Sequence, residues 1–159
     1  MADKRTLWAD ITGTVLRVLL ALVWLGAGIA KAADMDGMQR SIVAFDLVPF
    51  AVTSMLAFII PLVELLIGVL FLLGLYVRYA AVISAVLLIV FTFAIAAAWA
   101  RGLEIDCGCF GQAGLAPPDP VAGYIRDIAR DIALVGASAW LIVRPHTRAQ
   151  LLCTPGRSR

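Results

Sequence analysis

The chain has 159 residues, and 62% of them are hydrophobic, against roughly 45–50% in soluble domains. This excess excludes a water-soluble globule, and the long uncharged runs exclude disorder, a coiled coil and collagen. Lys and Arg number 13 and Asp and Glu 11, so the net charge is only +2. No basic stripe interleaved with aromatic residues occurs, and no nucleic acid partner is expected. The expected partner is a lipid bilayer.

Four apolar runs approach the roughly 20 residues that an α-helix needs to cross the hydrocarbon core. We predict an integral membrane four-helix bundle of class all-α within residues 12–143, with spans near residues 12–32, 51–73, 80–100 and 124–143. The fourth span is the weakest, because its first turns contain two Arg and two Asp. Those charges are spaced to pair locally: Arg126, Asp127, Arg130 and Asp131.

The distribution of Lys and Arg predicts the orientation, because retained loops are enriched in them. The side that holds both termini collects eight basic residues, against five on the other side. We therefore expect a multi-pass protein of the cell (plasma) membrane with a cytoplasmic N-terminus (1–11), a cytoplasmic tail (144–159) and outward segments 33–50 and 101–123. An alternative is that the first run is a signal peptide cleaved at Ala30-Lys31-Ala32. That alternative leaves both outward segments outward.

The first outward segment predicts a short amphipathic helix lying on the membrane between spans 1 and 2. Apolar residues recur in it at spacings of three and four: Met35, Met38, Ile42 and Phe45. Pro49 ends the segment before the second span. A plain connecting loop with apolar anchors is the alternative.

The second outward segment contains the sequence Cys107-Gly108-Cys109. Gly108 has no Cβ and can take the backbone angles that turn one thiol towards the other. A disulfide between positions i and i+2 closes a ring too small to reach the preferred dihedral angle easily, so it should be strained and readily reduced. Strained, exposed disulfides tend to be catalytic or regulatory. Cys107 and Cys109 are therefore the candidate catalytic residues.

The neighbours of the two cysteines act in opposite directions on the thiol pKa. Glu104 and Asp106 would raise it, whereas three arginines would lower it if the loop folds back on the fourth helix: Arg101, Arg126 and Arg130. Phe110 and Gly111 can bury one edge of the pair. A metal site and an inert pair of thiols are the alternatives. Zinc needs four ligands and His146 is expected on the opposite side, so no metal is assigned.

Glu64 is a carboxylate inside a predicted span, which is costly and calls for a partner or a function. Helix heights make a pair between Glu64 and Arg17 of the first span possible. Lys31, near the other end of that span, is expected to extend to the lipid head groups. A structural ion pair, a protonated Glu64 and a proton or quinone role all stay open. A quinone is thus a possible cofactor, and none is certain.

The chain resembles the DoxX-like membrane proteins and, within them, the methylamine utilisation protein MauE group. The resemblance covers most of residues 14–143 and depends on the motif Cys107-Gly-Cys-Phe-Gly111 together with Gly26 to Lys31, Phe45 to Pro49, Pro61, Glu64, Gly68 and Gly74. It implies a four-helix bundle that assists disulfide formation outside the membrane beside a separate, extracytoplasmic thioredoxin-like partner. In the MauE group the client is methylamine dehydrogenase, and that client need not carry over.

Two function classes follow. The first is a thiol-disulfide oxidoreductase in which Cys107 or Cys109 exchanges disulfides with the thioredoxin-like protein and assists maturation of its client. The second is a non-catalytic accessory or scaffold subunit of a membrane oxidoreductase or respiratory complex, in which the cysteines merely hold the loop. Transport is a third, weaker hypothesis, because the chain lacks a pair of Gly/Pro-broken helices.

Overall fold

The computed structural model describes residues 4–103 and 120–144, which form five α-helices. They are α1 (Lys4–Ala33), α2 (Met35–Phe45), α3 (Phe50–Leu73), α4 (Val77–Ala100) and α5 (Pro120–Val143). The prediction of an all-α fold is confirmed. Three of these helices, α1, α3 and α4, contain stretches long and apolar enough to cross a membrane. α5 has the same length as α4 but carries its four charges in its first half, and it does not reach that hydropathy.

Many large apolar side chains of the described helices are exposed, and small or polar residues are among the buried ones, which is the arrangement expected in lipid. Phe58 and Phe93 are largely exposed. The buried positions of α4 include Ala80, Ala81 and Ser84. Small residues let helix backbones approach closely where lipid provides no hydrophobic force between helices. The chain is therefore an integral membrane protein whose packing depends on close contact.

The helices pack mainly as two antiparallel pairs, α1 with α3 and α4 with α5. Two glycines fix the register of the first pair. A Cβ on Gly28 would lie 2.9 Å from Cγ and 3.1 Å from the backbone nitrogen of Leu65, and a Cβ on Gly68 would meet Leu25 in the same way. α1 and α3 therefore touch at backbone distance at two points.

The two pairs are joined by a buried hydrogen-bond chain and by a tight turn. Trp24 Nε1 donates to Ser84 Oγ at 2.9 Å, and the Ser84 and Ser138 hydroxyls are 3.1 Å apart. These contacts connect α1, α4 and α5. Between α3 and α4, Gly74 ends α3 with a φ of 69°, a left-handed conformation that glycine adopts without strain.

The predicted amphipathic segment forms α2, which ends at Phe45, four residues before Pro49. It stops there because Asp46 takes a left-handed conformation and closes the last turn. Asp34 caps the start of α2 by accepting from the Gly37 N–H at 2.8 Å. Gln39 Nε2 donates to Ser54 Oγ at 3.0 Å and so ties α2 to α3. α2 is thus held beside the junction of α1 and α3.

We predict that Gly28→Ala and Gly68→Ala each lower the free energy of unfolding by about 1–3 kcal/mol, because the added methyl group forces α1 and α3 apart. Gly26→Ala is the matched control, since a Cβ there meets nothing within 4 Å. The measurement is chemical unfolding in detergent micelles. Equal stability of all three variants would contradict the close packing.

Candidate functional site

The cysteine motif lies outside the described residues, and so do those of its predicted supporting residues that are close to it in sequence. These positions are Asp106, Cys107, Gly108, Cys109, Phe110 and Gly111. The structure does describe the chain on either side of them, up to Leu103 and from Pro120 onwards. The ends of residues 104–119 can therefore be located.

The residues on either side of this segment lie where α3 begins, α4 ends and α5 begins, which we call the loop end of the helices (Phe50, Ala100 and Pro120). α1 ends further from it, because the register of α1 and α3 puts Ala33 level with Ile60. The Arg101 guanidinium donates to the carbonyls of Phe45 and Asp46 at the end of α2. The Tyr124 hydroxyl of α5 donates to the Leu103 carbonyl, and its ring lies 6.3 Å from that of Trp99. The backbone just before the segment is thus tied both to the end of α2 and to the first turns of α5.

A buried ion pair joins α1 to α3. Lys31 Nζ donates to Glu64 Oε1, and the side chains are 5% and 0% exposed. The Lys31 ammonium also lies 5.1 Å from the centroid of the Phe91 ring, within cation–π range. The expectation that Lys31 extends to the head groups is therefore wrong. A carboxylate inside the bundle offers it a stronger partner than water at the interface.

Glu64 does not pair with Arg17, the partner that helix heights allow, and the α1–α3 register gives the reason. With Gly28 level with Leu65 and Leu25 level with Gly68, Glu64 is two residues from the level of Lys31. Arg17 is twelve residues from the level of Glu64, or about 18 Å along the axis. By the same register α3 ends level with Leu20, so Arg17, which is buried, lies past the end of α3.

The predicted local pairing of the α5 charges is present and centres on Arg130. Its guanidinium lies 3.3 Å from Asp127 Oδ1 and contacts Asp131 Oδ1 through Nε at 3.1 Å and Nη2 at 3.0 Å. Asp127 and Asp131 are almost fully buried. Arg126 differs, because its side chain is 83% exposed and its Nε lies 4.0 Å from Asp127 Oδ1. Of the two arginines of α5, Arg126 is thus the more exposed.

A cavity of about 30 Å³ separates the α1–α3 ion pair from the α5 charges and is lined by Lys31, Glu64, Arg130 and Asp131. Within the described residues, Glu64 Oε2 and Asp131 Oδ2 make no hydrogen bond. The Thr92 hydroxyl approaches Asp131 but donates to the Leu88 carbonyl. The rest of its wall is apolar, and its volume has room for one or two waters.

A second, larger cavity of about 190 Å³ lies between α2, α3 and α4, with Lys31 and Phe91 in its wall as well. Its other lining residues are mostly apolar. Ser41 of α2 is the exception: it is 7% exposed, and its hydroxyl has no hydrogen-bond partner in the described part of the chain. Lys31 therefore lines both cavities: the smaller one, which other charged side chains also line, and the larger one, which is mostly apolar.

A family model, "Methylamine utilisation protein MauE", matches residues 9–144. The chain belongs to the MauE family. The matched residues include the cysteine motif and every member of the buried charge cluster (Lys31, Glu64, Asp127, Arg130 and Asp131).

One curated member of the MauE family is the methylamine utilization protein MauE of Paracoccus denitrificans. It is 34% identical over 123 residues, which cover 74% of this chain and 60% of the relative. The chain thus spans less than two thirds of the length of that relative. No solved structure matches the chain.

Two parts of this MauE-family site were missed by the sequence analysis. Asp131 was expected to pair locally, but not to face Glu64 across a cavity. Ser41 is also buried, although it is not one of the apolar residues that predict the buried face of α2. Ser41 is three residues after Met38 and so shares its face of the helix. The spacing from Met38 indicates that Ser41 is buried, whereas the polarity of serine indicates the opposite.

We predict that Lys31→Met and Glu64→Gln each lower the free energy of unfolding. For Lys31→Met the loss should be about 3–5 kcal/mol, because the buried Glu64 carboxylate is left without its partner. The double variant Lys31→Met/Glu64→Leu should recover most of that loss, because no charge is then left unpaired. Unfolding in detergent micelles measures all three. Arg17→Met is the control: its effect should add to that of Glu64→Gln, and strong coupling between Arg17 and Glu64 instead would refute the assigned pair.

Proposed function

We propose that this MauE-family chain is a membrane thiol-disulfide redox protein whose working groups are Cys107 and Cys109. The observation that supports this most directly is how the backbone on either side of residues 104–119 is held. Arg101 and Tyr124 tie it to the end of α2 and to α5, at the loop end of the helices. We propose that the Cys-Gly-Cys pair is offered to a partner protein from this base.

The exchange proceeds through a mixed disulfide. In the direction of client oxidation, a thiolate of the partner attacks one sulfur of the Cys107–Cys109 disulfide and the other cysteine leaves as a thiolate. The second thiolate of the partner then attacks the mixed disulfide. The partner leaves oxidised, and Cys107 and Cys109 are left as a dithiol, with two electrons and two protons gained overall. Arg126, which is exposed near the loop end, is placed to favour the leaving thiolate.

The membrane arrangement we propose is a DoxX-like bundle of four spans in the plasma membrane, with α5 as the fourth. α5 packs along α4, and three of its charges, Asp127, Arg130 and Asp131, are paired with one another, while the exposed Arg126 lies near the loop end. Both termini are then cytoplasmic, as the distribution of Lys and Arg favours. The loop end faces outward.

The partner we propose is a separate extracytoplasmic thioredoxin-like protein that passes the disulfide on to a client. The name of the Paracoccus denitrificans relative connects that protein with methylamine utilisation. We therefore propose a client from methylamine utilisation for this chain as well. The dithiol left by each cycle must be reoxidised before the next one.

We predict that Cys109→Ser or Cys107→Ser accumulates a covalent adduct with a second protein, because the cysteine that resolves the mixed disulfide is missing. Non-reducing electrophoresis of membranes, with the adduct released by a reductant, measures this. Cys153→Ser is the control and should form no adduct. A membrane-impermeant thiol reagent should label reduced Cys107 and Cys109 in intact cells, but not Cys153.

Two results would count against the redox function. The first is a Cys107→Ser/Cys109→Ser variant that retains full growth on methylamine in a host that depends on this chain. The second is labelling of the pair only after the cells are opened. The first result would favour the accessory-subunit hypothesis, in which the chain co-purifies stoichiometrically with its complex.

A further inference from the structure

The cavity of about 190 Å³ between α2, α3 and α4 has the size of a single-ring molecule. An apolar cavity of about 150 Å³ is known to hold benzene. This cavity is slightly larger, and its wall is apolar on all three helices, for example at Met38, Ile60 and Ile95. A ring with small substituents therefore fits, whereas the head group of a phospholipid does not.

Two polar side chains in the wall define what the ring must carry. Ser41 has a buried hydroxyl with no hydrogen-bond partner among the described residues. Lys31 has three N–H donors, and Glu64 Oε1 accepts from one of them. Because a buried polar group without a partner is costly, a ligand that accepts hydrogen bonds is favoured over a pure hydrocarbon.

The charge balance selects a neutral ligand. Lys31 is already neutralised by Glu64, so a bound carboxylate would leave the buried site with a net negative charge. This disfavours a fatty acid. A neutral ring that carries carbonyl oxygens satisfies the donors without adding charge.

We propose that this cavity binds the ring of a membrane quinone, with a carbonyl oxygen accepting from Lys31 Nζ or Ser41 Oγ. A quinone is neutral, has one flat ring with two carbonyl acceptors, and dissolves in the bilayer into which its tail can extend. The level of Lys31 and Phe91 is nine residues below the end of α4, or about 14 Å from the loop end. The ring thus lies inside the bundle, below the cysteine segment.

A consequence that rests on the proposed function is that the quinone reoxidises the dithiol. Formation of the Cys107–Cys109 disulfide releases two electrons and two protons, and reduction of one quinone to its quinol takes up the same number. Ring binding itself does not depend on the cysteines.

The test is a titration of the purified full chain in lipid nanodiscs with a decyl-substituted benzoquinone, measured by the quenching of tryptophan fluorescence and corrected with empty nanodiscs. Ala94 lines the cavity, so Ala94→Phe fills it. Ala96→Phe is the matched control, because Ala96 is exposed on the same helix. Decylbenzene and decanoic acid, as competitors, separate ring binding from binding of an acyl chain.

We expect saturable binding that Ala94→Phe weakens by about tenfold or more and Ala96→Phe leaves within about twofold. Ser41→Ala, which removes one donor and leaves the ion pair intact, should weaken the binding of the quinone without affecting that of decylbenzene. The Cys107→Ser/Cys109→Ser variant should bind the quinone normally. No saturable binding by the wild type, equal effects of the two Phe variants, or competition by decylbenzene or decanoic acid as strong as that of the quinone would each overturn the proposal.

Discussion

The ion pair between Lys31 and Glu64 is the constraint around which the described bundle is arranged. Two charges can stay inside a membrane protein only if they meet, because an unpaired charge there costs several kcal/mol. They meet because Gly28 and Gly68 bring α1 and α3 to backbone contact in one register. Lys31 of this pair lines both cavities. Helix packing and the chemistry of the interior therefore depend on a single contact.

The sequence could predict the elements that depend on local pattern. The long apolar runs of α3 and α4 and the spacing of Met38 and Phe45 in α2 are such patterns. It could not predict that Lys31 rather than Arg17 pairs with Glu64, because heights counted within each helix do not give the register between helices. Two glycines set that register, and a glycine in an apolar helix is equally compatible with many neighbours. The sequence could not predict that Asp131 faces Glu64 either, because this too depends on the register between helices.

The backbone on either side of the cysteine segment and the buried cluster lie in the same half of the bundle. Arg101 links the start of the segment to the end of α2, and α2 also supplies Ser41 to the larger cavity. A movement of α2 would therefore change both the contact with Arg101 and the wall of the larger cavity. In the proposed account, α2 connects the surface where thiols are exchanged with the interior where a quinone ring is bound.

The most direct test of the account is the infrared spectrum of the Glu64 side chain, obtained as the difference between the wild type and Glu64→Gln in lipid. We expect the bands of an ionised carboxylate, which Lys31→Met should replace by the band of a protonated carboxyl group while Arg17→Met leaves them unchanged. A protonated Glu64 in the wild type, or a carboxylate that responds to Arg17→Met and not to Lys31→Met, would contradict the central ion pair.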